Sequence, residues 1–92
     1  MTVEELEQAI QRNIRLVSDN LDCIAENHEA INEHLRRVKA QPWRKIRNQK
    51  LLTDSQQRLN FVRRLQTQND LAQVENSLFL IRLADLKYER RP

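Results

Sequence analysis

The sequence predicts an all-α fold: an antiparallel hairpin of two long, coiled-coil-like helices that dimerises into a four-helix bundle. Three features carry this expectation. First, the 92 residues contain no glycine, where ordinary usage of about 7% would supply roughly six, so the residue that left-handed turns and phosphate-cradling loops depend on is missing. Second, leucine, glutamine, glutamate and arginine are abundant, and these residues lose little rotamer freedom in a helix. Third, apolar residues recur with helical spacing on both sides of the internal Pro42.

The first helix begins at a capping box, Thr2-Val3-Glu4-Glu5. There the Thr2 hydroxyl accepts the amide three residues on and the Glu5 carboxylate reaches back, while the acids suit the positive end of the helix dipole. Ile10, Ile14, Val17, Leu21, Ile24, His28, Ile31, Leu35 and Val38 follow at steps of four and three, the seam of a coiled coil; Val3 and Leu6 fall slightly off that register. Pro42 lacks a backbone N–H and pushes Gln41 out of helical geometry, so helix 1 spans about 2–40. A second capping box, Thr53-Asp54-Ser55-Gln56, precedes Leu59, Val62, Leu65, Ala72, Phe79, Leu83 and Leu86. It places helix 2 at about 53–89, with a basic connector at about 41–52 that either holds a helical turn of its own or continues helix 2. The whole chain is read as one domain.

Charge favours the hairpin. Residues 1–33 carry a net −6, residues 34–50 carry seven bases and no acid, and residues 51–92 carry a net +2, which together give the +3 of the chain. Folding back brings Glu4, Glu5 and Glu7 towards Lys87, Arg90 and Arg91. Such exposed pairs contribute about 0–1 kcal/mol each and set orientation more than stability.

On a helical wheel, Leu71, Val74, Leu78 and Ile81 form one stripe of helix 2, and Ala72, Phe79, Leu83 and Leu86 form another. One antiparallel neighbour covers only one of these. With 39% hydrophobic residues and four aromatics, the core of a two-helix chain is also thin. The second stripe is therefore assigned to a partner, either another copy or another helical protein.

Several classes of chemistry are disfavoured. Cys23, His28 and His34 are spaced by five and six residues, which scatters them around a helix, whereas ligands four apart share a face. In His28-Glu29-Ala30-Ile31-Asn32, Asn32 stands where the two-histidine metalloprotease motif needs its second histidine. His28 is expected in the seam as a partly buried core residue. Without glycine there is no usual nucleophile elbow or phosphate loop. The expectation is a non-enzymatic protein with no cofactor, metal or small-molecule substrate. The longest apolar run, Leu78 to Ile81, is far short of the roughly 20 residues that span a bilayer. No export signal is read at the N-terminus, and the lone Cys23 suits a reducing compartment. An intracellular, cytoplasmic address is expected, with a nuclear one left open.

Two further patterns stand out. Asn13, Asn20 and Asn27 recur every seven residues beside the helix 1 seam, followed by His34, and Asn69 and Asn76 do the same on helix 2. Polar residues there either fix register across an interface or simply face solvent, and the sequence leaves both readings open. The connector gathers Arg36, Arg37, Lys39, Arg44, Lys45, Arg47 and Lys50 around Trp43. These are candidate contacts to a polyanion, with Trp43 free to stack on a base, to rest at a lipid headgroup layer or to plug the bundle end.

Specific base readout is disfavoured. A basic zipper is interrupted by Pro42, and positions 52, 59, 66, 73 and 80 read Leu, Leu, Gln, Gln, Leu. The helices are also far too long for a helix-turn-helix. The functional expectation is a small coiled-coil adaptor or structural subunit that uses Leu71, Val74, Leu78 and Ile81 as its partner interface. The alternative is a nucleic-acid-binding or regulatory protein that presents the basic tip to phosphates.

Overall fold

The structure, a computed structural model, describes residues 1–89. Among these the chain is all-helical: α1 spans Val3–Ala40, α2 spans Lys45–Glu89, and there is no strand. The N-terminal capping box forms as expected. The Glu5 amide donates to Thr2 Oγ1 (3.1 Å) and the Thr2 amide donates to Glu5 Oε1 (3.3 Å).

Of the two readings of the connector, the one in which it continues helix 2 is the one formed: α2 begins at Lys45 rather than near 53. Thr53-Asp54-Ser55-Gln56 lies inside α2, where the Asp54 carboxylate is occupied by side chains of other turns and does not cap an amide. Residues 41–44 make the reversal. The Arg44 amide donates to the Gln41 carbonyl (3.2 Å) and the Asn48 amide to the Arg44 carbonyl (2.9 Å), which starts α2. No described residue has a positive φ, so the reversal is built without the conformation that glycine would serve.

The chain forms two compact units, one from residues 1–20 with 67–92 and one from 21–66. In the first, α1 and α2 run antiparallel: Asn13 bonds Asn76 and Asn20 bonds Asn69, each at 2.9 Å. A step of seven along α1 thus meets a step of seven back along α2, the heptad register of a coiled coil. Val3, Leu6, Ile10 and Leu83 form its apolar core, with Phe79 and Leu86 packed against them. In the second unit Ile24, Val62 and Leu65 form the core, and the antiparallel strokes are joined by residues 41–44.

The seam on α1 is displaced from the one expected. Val3, Ile10, Val17, Ile24, Ile31 and Val38 line it as one row, all β-branched, and Leu6, Asn13, Asn20, Asn27 and His34 form the second row, each buried or half-buried. Ile14, Leu21, His28 and Leu35, read as the second row from their hydrophobicity, are exposed. The reason is the asymmetry between apolar and amide groups. Ile14 is 49% exposed and leaves no polar group unpaired there, whereas an amide in the seam is stable only when fully paired. Asn13 and Asn20 find such partners opposite. Val3 and Leu6 lie in this register, and His28 does not.

The acids of the first turns meet base as anticipated at one point, Glu7 with Lys87 at 3.9 Å. Arg90 and Arg91, expected beside them, lie outside the described residues.

Candidate functional site

Three features rise from this framework: a polar ladder inside the seams, an apolar stripe on α2, and a basic tip at the reversal.

In the ladder, each amide of α1 is paired across to α2 or along its own helix. Asn13 Nδ2 donates to Asn76 Oδ1 and to Glu75 Oε1, both at 2.9 Å, and Asn76 Nδ2 donates to the Ile10 carbonyl (3.3 Å). Asn20 Nδ2 donates to Asn69 Oδ1 (2.9 Å) and Gln68 Oε1 (3.3 Å). In the second unit the ladder is ionic. Asn27 Oδ1 accepts from Arg58 Nη1 (3.1 Å), Arg58 Nε donates to Asp54 Oδ2 (2.8 Å), and His34 Nε2 meets the same oxygen at 2.7 Å. The hydrogen bond from Arg58, and then that from His34, holds the Asp54 carboxyl below the usual carboxylate range. An ionised carboxylate only accepts, so His34 carries its proton on Nε2. The seven-residue repeat of Asn13, Asn20, Asn27 and His34 was the sequence signal for the ladder. Nothing in the spacing singled out Arg58 or Asp54, which reach the seam through long or flanking side chains.

The stripe consists of Leu71, Val74, Leu78 and Ile81, each 60–65% exposed. They share one face of α2, opposite the face that buries Ala72, Leu83 and half-buried Phe79. Leu71 also borders a shallow groove with Asn13, Leu16, Gln68, Ala72 and Glu75.

At the tip the candidate polyanion contacts separate into two groups. Arg47 is a structural clasp: Nη2 donates to the Arg37 carbonyl (2.9 Å) and Nη1 to Gln41 Oε1 (3.0 Å), tying the last turn of α1 to the first of α2. Buried Asn48 assists by donating to the Gln41 carbonyl (3.0 Å). Burial, and then the nearby Arg44 and Arg37 charges, lower the pKa of Arg47. Arg36 pairs with Glu33. Arg37, Lys39, Arg44, Lys45 and Lys50 are exposed, and Arg44 and Lys45 line a hollow with Trp43. Trp43 is itself 70% exposed and does not plug the bundle end, and its neighbour Ile46 is 79% exposed.

Among the described residues no group of three or more His, Cys, Asp and Glu is placed to hold a metal ion, and no helix is long and apolar enough to cross a membrane. Comparison with family profiles, with curated proteins and with solved structures finds no match.

Proposed function

We propose that the protein is a non-enzymatic helical interaction module that assembles with a second copy of itself through the outer stripe of α2. The observation that carries this reading is the exposure of Leu71, Val74, Leu78 and Ile81 on one face, a contiguous apolar row of the kind that marks an interaction surface.

The flanking charges favour an antiparallel two-fold pairing. That arrangement sets Leu71 against Ile81 and Val74 against Leu78 of the second copy, and brings exposed Glu75 opposite Arg82 twice. It is the flanking geometry in which Glu7 meets Lys87 in the first unit. A parallel pairing instead puts Asp70 opposite Glu75, a like-charge contact repeated by symmetry.

Sedimentation equilibrium on variants tests the reading. Leu78→Glu places a charge in the apolar row and is expected to yield the single-chain mass with helical circular dichroism retained. Arg82→Glu is expected to weaken assembly, and adding Glu75→Arg to restore it, with chemical denaturation of the Glu75→Arg single variant as the control for the loss of the Glu75 bond to Asn13. Unchanged assembly in Leu78→Glu contradicts the proposed surface. An effect of Leu78→Glu without restoration in the charge-swapped pair contradicts the antiparallel orientation.

A further inference from the structure

We infer that the tip of the hairpin binds the surface of an anionic lipid bilayer, with Trp43 and Ile46 entering the headgroup layer and Arg44, Lys45, Lys39 and Lys50 meeting lipid phosphates. This surface is independent of the α2 stripe.

The argument begins with charge. Residues 34–50 hold seven bases and no acid, and the first turn of α2 has no acidic residue. Lys45 and Arg47 therefore sit at the end of α2 that already carries the partial positive charge of the helix dipole. Like charges are gathered at the positive end of the helix dipole, an arrangement that anions stabilise. Arg47 feels this crowding from Arg44 and Arg37, and its role as clasp keeps the cations together.

Apolar exposure then selects the kind of anion. Trp43 and Ile46 are the most solvent-exposed apolar residues of this segment, and with Arg44, Lys45 and Arg47 they line one shallow hollow. Tryptophan is an interfacial residue because its ring is apolar and its N–H polar. A base stacks on Trp43 as readily, but an exposed isoleucine gains nothing from a phosphate backbone. An apolar pair ringed by cations matches the boundary between acyl chains and anionic headgroups.

Trp43 is the only tryptophan, so its emission reports the contact in the full chain. The probes are vesicles of phosphatidylcholine with and without 30% phosphatidylglycerol, and mixed-sequence oligonucleotides. The expected result is a saturable blue shift with anionic vesicles and none with neutral ones. Arg44→Gln with Lys45→Gln is expected to weaken binding about thirtyfold, at the per-residue contribution typical of surface cations. Ile46→Ser, at a solvent-exposed position that leaves the fold intact, is expected to weaken it about tenfold. A shift produced by oligonucleotides and not by vesicles overturns the inference in favour of nucleic acid. Vesicle binding without a blue shift, or equally tight binding by Ile46→Ser, overturns it in favour of a purely electrostatic contact. No response to either probe overturns it outright.

Discussion

The two units place polar groups at the same seam positions but satisfy them differently. In the first unit the polar layers pair amide with amide across the seam, with the Glu75 carboxylate a second acceptor at Asn13 and only amides at Asn20, and they are followed by an apolar end of Val3, Leu6, Ile10 and Leu83. In the second, Asp54, Arg58, His34 and Asn27 form a charged chain, and the end at the reversal is closed by Arg47 and Asn48. The all-amide Asn20 layer imposes register with no dependence on pH, whereas a charged chain makes register conditional on ionisation. Polar seam residues contribute less stability than apolar ones but single out one alignment of the helices. With a bond at each of Asn13 and Asn20, a slip by one heptad leaves an amide facing an apolar residue at an end of the ladder.

The comparison can be broken most forcefully in the apolar cores. Leu6 is 1% exposed, and Leu6→Ala is expected to cost about 2–5 kcal/mol, read by chemical denaturation; a loss below 1 kcal/mol implies that this end is not a packed core. Val62 is equally buried in the second unit, and Val62→Ala removes a smaller volume, so a smaller loss is expected.

Next come the neutral layers. Asn20→Ala leaves the Asn69 carbonyl oxygen without its donor, at a cost of about 1–3 kcal/mol. Replacing both by leucine is expected to recover or raise stability while broadening the amide spectrum as alternative registers become accessible. A double variant that keeps a single sharp spectrum removes the register role from this pair.

The ionic chain should show itself in acid. Asp54 has a lowered folded pKa and titrates near 3.9 when unfolded. Its contribution is therefore full above about pH 4 and is lost as pH falls through the lower folded value. Amide exchange is expected to accelerate around residues 27–34 and 54–58 in that window, while the residues around Asn20 stay protected by its all-amide layer. Asp54→Asn should abolish the difference between the units. The smallest effect belongs to Lys87→Ala. Its contact with Glu7 is long and exposed, and a change within about 1 kcal/mol is expected.

How far the sequence disclosed all this depended on whether the signal was local. The Thr2 cap and the Pro42 break are local, and α1 at Val3–Ala40 follows them closely. The start of α2 was not, because Thr53 to Gln56 has cap chemistry but Asp54 is recruited by His34 across the seam and by Arg58 one turn on. The β-branched row of α1 was legible from hydrophobicity alone from Ile10 to Val38, though not at Val3. Its asparagine row was not, since the choice between Asn13 and Ile14 is decided by what α2 offers opposite, and a single helix does not encode that. The tip residues were legible as a charged cluster, but the division of labour between Arg47 and its neighbours depends on where the Arg37 carbonyl ends α1.

The central claim, that the outer face of α2 is covered by a second copy, is tested most directly by the mass of the unaltered chain in sedimentation equilibrium across a hundredfold range of concentration. The account predicts twice the 11.1 kDa of one chain, dissociating to the single-chain mass on dilution. A mass of 11.1 kDa at every concentration, with helical circular dichroism intact, contradicts it.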